Sequence, residues 1–501
     1  MNIKQAKQEI QNTLRAYLSK DELGNYLIPA IRQRPVLLMG PPGIGKTQIM
    51  AQIAAETGVG LVAYTITHHT RQSAIGLPFI EKRRYGGREF SVTEYTMSEI
   101  LASVYELMEN TGIKEGILFL DEINCVSETL APMMLQFLQC KTFGNQALPE
   151  GWLIVAAGNP PEYNKSVRDF DVVTLDRVKR IDVQEDFTVW KEYARRNGVH
   201  GAVVSYLDIK KEHFYAIETT VDGLQFATAR GWEDLSEIII AYEKLGLKVD
   251  REVVGQYIQL PRIAKDFANY LELYYKYQRI YHVEDILQGA WQTITEMELR
   301  ASPFDEKFSV MGLLLSRLSG EAKALRVQDE LTTALHGTLR EFKSALERKG
   351  PRHALEKLIS LRQEDMKLAK EAGQLDKYVR DLKTRELNAL MGYLSRLTDE
   401  DIADADAFEA VKGWFADEVN LRREMAVKTG NMFDNAFRFL EKTFSQGQEL
   451  VMFVTEITAG YDTSWFVENF GCDAYFRHNK ELFFDDAQQR IRESIAAARK
   501  N

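Results

Sequence analysis

The feature that most constrains the fold is a glycine-rich loop at residues 40–47, with the sequence GPPGIGKT. It follows the apolar residues 36–39 and precedes residues 48–54, whose pattern is typical of a helix. A strand, a G-x-x-x-x-G-K-T loop and a helix in this order are the elements of a P-loop. Glycines let successive backbone N–H groups surround a phosphate, and the helix N-terminus adds partial positive charge. The sequence therefore predicts a nucleotide-binding protein, in preference to a glycine turn with a chance lysine.

The predicted nucleotide contacts come from this loop and the residue that follows it. They are Gly40, Pro41, Pro42, Gly43, Ile44, Gly45, Lys46, Thr47 and Gln48. Lys46 is expected to reach the outer phosphates, at the reacting end of the nucleotide, and Thr47 to offer its hydroxyl to Mg²⁺. The expected cofactors are therefore a nucleoside triphosphate and magnesium.

A second constraint is the apolar run at residues 116–120, which ends in Asp121 and Glu122. The run does not alternate with polar residues, so it predicts a strand buried on both faces of a parallel sheet. Ligands of such sheets bind at the carboxyl ends of the strands, where two carboxylates are costly unless they meet a cation or a polar group. We expect Asp121 to orient Mg²⁺ and Glu122 to polarise the attacking water. The alternative, a strand ending in a solvated turn, is less favoured because a P-loop lies upstream.

A third buried strand is predicted at residues 152–157, and it is followed by Gly158, Asn159 and Pro160. At that strand end, Asn159 could hydrogen-bond both the γ-phosphate and the water. Taken without the other motifs, the same residue would be interpreted as part of an Asn-Pro turn.

Length and composition set wider limits. A chain of 501 residues is long enough for two to four domains, and 45% hydrophobic with 27% charged residues is ordinary for a soluble globular protein. No window has eighteen uninterrupted apolar residues, the first residues do not resemble a signal peptide, and the three cysteines form no C-x-x-C pair. These observations predict a cytoplasmic protein without a membrane span. The net charge of −10 argues against nucleic-acid binding through a basic surface.

A β-hairpin is predicted at residues 79–90, where Gly86 and Gly87 separate two alternating segments. Its tip carries Lys82, Arg83 and Arg84 beside aromatic residues. Contact with a substrate or nucleic acid is one interpretation of this tip, and a solvated hairpin is the favoured one.

Five segments together resemble the AAA+ ATPases, and more narrowly the MoxR branch with its dynein-related relatives. They are GPPGIGKT at 40–47, LDEIN at 120–124, GNP at 158–160, LDRV at 175–178 and ATARGWEDL at 227–235. Their order and spacing are similar to those of the family over about residues 30–300. Val178 stands where the family has phenylalanine, Ala229 where it usually has proline, and Cys125 follows DEIN. These departures remove no charged group.

The resemblance implies an α/β P-loop NTPase core of AAA+ type, a parallel sheet flanked by helices, with an all-α lid. It implies a large α/β subdomain at 1–195 with an N-terminal helix, and a helical lid at 196–300. It also implies that Arg177 acts in trans on the γ-phosphate of a neighbouring subunit, with Arg180 as the alternative, and that Arg230 contacts the phosphates from the lid. ATP, a homo-oligomeric ring of six subunits, and a protein partner that carries a von Willebrand factor A domain are further expectations from the family.

Residues 301–501 are predicted to form a mostly α-helical domain for partner binding or assembly. The composition shifts to Leu, Lys, Glu and Arg at helical spacing, with breaks at 350–351 and 372–376. Three functions fit the whole sequence: an ATP-driven remodeller of a protein partner, a nucleic-acid-linked motor or restriction-type GTPase, and a nucleotide-gated scaffold. The first is favoured because it uses the complete set of motifs.

Overall fold

The computed structural model describes residues 1–68, 72, 74, 76–144, 146–163, 170–220, 223–375, 377–445 and 447–480. The chain divides into two compact units. The first comprises Met1–Asp186 with Lys357–Leu387, and the second comprises Phe187–Glu356 with the chain from Asn388. The division at residues 195 and 300 that the sequence suggested stays a prediction.

The first unit is built on a five-stranded sheet. Its strands are β1 (Val36–Met39), β2 (Gly60–Thr65), β5 (Gly116–Asp121), β8 (Trp152–Gly158) and β9 (Lys179–Asp182). The strand order is β2-β5-β8-β1-β9, and every neighbouring pair is parallel. The sheet confirms the predicted α/β P-loop fold. Because the strands are parallel, the ends of β1, β5 and β8 lie at one edge of the sheet.

Helices cover both faces of this sheet. They are α1 (Ile3–Leu18), α2 (Lys46–Thr57), α3 (Glu99–Thr111), α4 (Ala131–Cys140) and the short α5 (Val172–Leu175). Ile117 and Phe119 of β5 pack in the core formed with α1 and α2, whereas Leu118 and Leu120 pack in the core formed with α3 and α4. Successive side chains of a strand point to opposite faces, so an uninterrupted apolar strand supplies both cores.

The predicted hairpin is present as β3 (Pro78–Tyr85) and β4 (Arg88–Tyr95), two antiparallel strands joined through the two glycines. Nearly all of its side chains are exposed. Lys82 pairs with Glu89 at 3.2 Å, and Arg83 pairs with Glu94 at 2.9 Å. Carboxylates of the same hairpin therefore balance part of its basic charge. Two two-residue strands, β6 (Thr142–Phe143) and β7 (Gln146–Ala147), complete the first unit's strands.

A helical turn from the C-terminal half of the chain contacts the edge of the sheet. It joins α14 (Pro351–Glu371) to α15 (Lys377–Asp399), and its break at this position was predicted. The Leu61 N–H donates to the Ala372 carbonyl at 3.1 Å, and the Gln374 amide donates to the Val59 carbonyl at 3.1 Å. Edge strands expose unpaired backbone groups, so this turn protects part of β2.

The second unit is mainly helical. It contains α6 (Phe187–Asn197), α7 (Gly201–Ile209), α8 (Ala229–Leu245), α9 (Arg251–Tyr257), α10 (Pro261–Ile280), α11 (Val283–Gln288), α12 (Thr293–Ala301), α13 (Phe304–Lys349), α16 (Ala407–Phe444), α17 (Gln448–Ala459) and α18 (Tyr461–Phe470). The predicted break at residues 350–351 separates α13 from α14. Among the residues that the structure describes, no helix combines the length and the apolar character needed to cross a membrane.

Residues 196–300, which the resemblance assigns to an all-α lid, also contain a β-hairpin that the sequence did not predict. Strand β10 (Ala216–Thr220) pairs antiparallel with β11 (Gly223–Ala227), and β11 leads directly into α8. Each strand has only five residues, which is too short to give a clear alternating pattern against a helical background.

Lys141, at the end of α4, is a buried lysine whose pKa lies below its ordinary value. It is 9% exposed, its Nζ lies 3.4 Å from Oε1 of Gln33, and burial lowers its pKa from 10.5 to about 8. Between pH 8 and 10.5 the unfolded chain holds this proton more tightly than the folded chain, so the folded protein gains stability as the pH rises through that window. The full effect is about 3 kcal/mol.

We therefore expect Lys141→Met to stabilise the protein below pH 8, because it removes the cost of burying the charge. The advantage of the variant should shrink as the pH rises towards 10. Urea unfolding of both proteins at several pH values measures this difference. A free energy difference that is constant over this pH range would contradict the prediction.

Candidate active site

The glycine-rich loop has the backbone that its sequence predicts. Gly43 and Gly45 have φ values of 76° and 91°, in the left-handed region that favours glycine. At Gly40, a Cβ atom would lie 2.6 Å from the Val183 carbonyl oxygen. Gly45 caps α2 without a side-chain hydrogen bond. Backbone N–H groups in the first turn of a helix are a common binding site for an anion.

Lys46 lies folded against the loop. Its side chain is buried, and its Nζ donates to the carbonyl oxygens of Gly40 and Pro41 at 2.7 Å each. A third bond, of 2.9 Å, reaches Oδ1 of Asn159 at the end of β8. The structure thus brings together the loop lysine and the strand-end asparagine, as expected for two groups that contact the same phosphate.

Thr47 and Asp121 meet at the same edge of the sheet. The Thr47 hydroxyl donates to Oδ2 of Asp121 at 2.7 Å. A hydroxyl and a carboxylate are oxygen ligands of the kind that Mg²⁺ prefers, and Mg²⁺ sites beside phosphates use only one or two protein ligands. The residues present therefore fit a magnesium ion that shares its coordination with a nucleotide.

Glu122 sits in a constrained position directly after β5. Its φ is 56°, and its N–H donates to Oδ1 of Asp121 at 2.9 Å. Its Oε2 accepts a 2.7 Å hydrogen bond from the hydroxyl of Thr67. Left-handed backbone at a residue other than glycine is often found at functional sites. The strand ends at Asp121, and the Glu122 carboxylate that follows it contacts Thr67.

Thr67 is a site residue that the sequence reasoning missed. It lies in a short helical turn after β2, at residues 66–68. The sequence indicates this role only indirectly. Because β2 pairs in parallel with β5, the two strands end side by side, and the residues that follow them become neighbours. A polar residue after the second predicted strand could have been assigned to the site on that ground.

The two candidate arginine fingers have different surroundings. Arg177 is exposed, and its guanidinium donates to the side-chain carbonyl of Gln139, a neutral partner. Arg180 is paired with the carboxylate of Asp182 at 2.9 Å. Between them, Val178 is 4% exposed and packs in the core with α3 and α4, so the smaller side chain still anchors the segment.

Arg230 is the second residue of α8 in the second unit, and its side chain is exposed. Thr228 caps this helix by accepting the Gly231 N–H at 3.2 Å. Ala229, at the position where the resembling family usually has proline, is buried. The helix therefore begins where the motif predicts, and it presents Arg230 at its first turn.

Residues 35–178 match the family model described as an AAA domain of the dynein-related subfamily. A search of the curated proteins found no match. The matched segment spans β1 to the segment of Arg177, and so it contains the loop, both carboxylates and Asn159.

Proposed function

From the premise that residues 35–178 form an AAA+ ATPase domain, we propose that the chain is a MoxR-type ATPase. In this proposal it assembles as a ring and uses ATP hydrolysis to remodel a protein partner. The observation that carries the proposal is the convergence of Lys46, Thr47, Asp121, Glu122 and Asn159 at one edge of the sheet.

The proposed reaction is attack of water on the γ-phosphate of ATP, which breaks the bond from the γ-phosphorus to the bridging oxygen and releases ADP and inorganic phosphate. The backbone N–H groups at the start of α2 and the Lys46 ammonium bind the phosphates, and Lys46 exchanges its carbonyl partners for phosphate oxygens. Thr47 and Asp121 would hold Mg²⁺, which would neutralise phosphate charge. Glu122 accepts a proton from the water, and Asn159 hydrogen-bonds the γ-phosphate.

Assembly enters the proposal through Arg177. In the proposed ring its guanidinium reaches the γ-phosphate held by a neighbouring subunit, where a cation stabilises the charge that develops during phosphoryl transfer. Its neutral partner Gln139 can be exchanged for a phosphate at a lower cost than the carboxylate that binds Arg180. We therefore favour Arg177 over Arg180. Arg230 would contribute a second cation from the lid.

The proposed partner is a protein, of the kind that carries a von Willebrand factor A domain. The long helices at residues 301–501 offer the surface for such a partner or for assembly. Nucleic acid is not favoured as a partner, because the chain is acidic and two of the hairpin's basic residues, Lys82 and Arg83, pair with carboxylates of the same hairpin.

We expect Arg177→Ala to lower ATP turnover by about 10- to 100-fold, since it removes a charge-assisted contact with the reacting phosphate. The matched variant Arg180→Ala should keep turnover close to that of the unchanged protein. Phosphate release measured for both variants tests this assignment. A larger loss in Arg180→Ala would reverse it.

A mixing experiment tests the ring itself. Arg177→Ala and Glu122→Gln are each expected to have much lower activity than the unchanged protein, but a mixed ring contains sites that pair an intact Glu122 with an intact Arg177 from the neighbour. Mixing the two variants should therefore restore ATPase activity. Light scattering of Glu122→Gln with ATP should show an oligomer. A monomer in every nucleotide state, with no recovery on mixing, would rule out the ring.

A further inference from the structure

Asn124 lies two residues after Glu122, on the chain that leaves β5. It is 3% exposed. The preceding residue, Ile123, donates its N–H to the Ala157 carbonyl of β8 at 2.9 Å. The chain that carries Glu122 therefore stays bonded to β8 beyond the last paired residue of β5, and Asn124 enters the space beside the end of β8.

The Asn124 side chain bonds directly to the residue that is proposed to contact the γ-phosphate. Its Nδ2 donates to the backbone carbonyl of Asn159 at 2.7 Å. The side chain of Asn159 in turn accepts from Lys46 at 2.9 Å. One amide thus links the segment of Glu122 to Asn159, and through Asn159 to the loop lysine.

The fit around this amide is close. A Cβ atom at Gly158 would lie only 2.5 Å from Oδ1 of Asn124, so the amide occupies space that only glycine leaves open. Among the described residues, Oδ1 of Asn124 has no hydrogen-bond partner although it is buried. A buried polar atom without a partner is unfavourable, and a leucine of similar volume would avoid it. The hydrogen bond that this side chain forms with its surroundings therefore comes from the donor Nδ2.

We propose that Asn124 is a positioning residue for the reaction: its amide fixes the carbonyl of Asn159, so that the Asn159 side chain and the Glu122 carboxylate address the same γ-phosphate and water. This inference rests on the proposed ATPase function and assigns Asn124 a role in it. Asn124 itself does not contact the nucleotide. Loss of its amide is therefore expected to lower the rate of hydrolysis at the γ-phosphate and to leave binding of the rest of the nucleotide unchanged.

Two substitutions in the full-length chain test the proposal. Asn124→Leu keeps the volume and removes the donor, whereas Asn124→Asp keeps the shape and places a carboxylate oxygen against the Asn159 carbonyl. We expect turnover to fall by about tenfold in Asn124→Leu and by at least as much in Asn124→Asp. The dissociation constant for ADP should stay within about threefold of the unchanged protein, because ADP has no γ-phosphate for Asn159 to contact.

A double-mutant cycle separates positioning from a merely structural role. If Asn124 acts through Asn159, then adding Asn124→Leu to Asn159→Ala should cost little further turnover. If the double variant instead loses turnover by the product of the two single losses, the two residues act independently and the proposal is overturned. Turnover of Asn124→Leu within about twofold of the unchanged protein would also overturn it. Parallel losses of ADP affinity and thermal stability, or failure of both Asn124 variants to fold, would also overturn it and leave Asn124 a role in folding.

Asn435→Leu is the matched control. Asn435, on α16 in the second unit, donates its amide to the Leu287 carbonyl at 2.9 Å, the same type of bond. Its loss should change the melting temperature without changing turnover. If the unchanged protein itself fails to hydrolyse ATP with Mg²⁺, the proposed function fails. Active protein with unaffected Asn124 variants refutes only the positioning role.

Discussion

Glu122→Gln is expected to lower ATP turnover by about 10³-fold or more while leaving ATP binding intact. The amide has the shape of the carboxylate but cannot accept a proton from water, and general-base contributions are commonly 10²- to 10⁴-fold. The hydrogen bond from Thr67 can be kept by the amide oxygen, and the backbone turn at Glu122 does not depend on the charge. The loss should therefore fall on the chemical step.

The measurement combines single-turnover hydrolysis with the dissociation constant for ATP. Glu109→Gln is a suitable control, because Glu109 is an exposed glutamate on α3 of the same unit. It should leave both quantities unchanged. Residual turnover of Glu122→Gln near that of the unchanged protein would mean that another group activates the water, and the assignment of Glu122 as general base would be abandoned.

The strands and the loop of the first unit could be predicted because their sequence signals are local. The P-loop needs glycine at fixed positions, and a strand buried on both faces must be apolar along its whole length, as residues 116–120 are. The order of the strands was not evident from the residues alone. The resemblance implied a parallel sheet, and the structure adds its strand order, which depends on contacts between segments far apart in the chain.

The features that the sequence did not predict depend on contacts between distant segments. Thr67 becomes a neighbour of Glu122 only because β2 and β5 lie side by side. The bond from Leu61 to Ala372 joins residues that are far apart in the chain, and no local pattern marks either of them. In the sequence, Asn124 is only the last residue of the LDEIN segment. In the structure it packs against Gly158 and donates a hydrogen bond to Asn159, and these contacts give it a specific physical role.

The roles of Arg177 and Arg230 remain predictions for the same reason. Each is proposed to act on a phosphate through an arrangement of segments, between subunits for Arg177 and between the predicted lid and the core for Arg230. A sequence motif identifies the arginine and its place on an element, here the segment before β9 and the first turn of α8. Only a measurement on the assembled protein determines which phosphate each one reaches.

Lys46→Met is expected to weaken ATP binding and hydrolysis together, with kcat/KM lower by about 10³-fold or more. Lys46 is the cation that the folded loop already holds beside Asn159, so its loss removes both a phosphate contact and a charge at the reacting end. The carbonyls of Gly40 and Pro41 also lose their shared donor, and the loop is then expected to be less well ordered. Both effects oppose nucleotide binding.

The control for this prediction is Lys141→Met, which makes the same chemical change at another buried lysine of the same unit. It should alter stability with pH and leave kcat/KM unchanged, whereas Lys46→Met should abolish measurable turnover in a folded protein. Titration with ATP and a phosphate-release assay on both variants make the comparison. ATP affinity of Lys46→Met equal to that of the control would show that the loop lysine does not bind the phosphates. The nucleotide site would then have to be sought elsewhere in the chain.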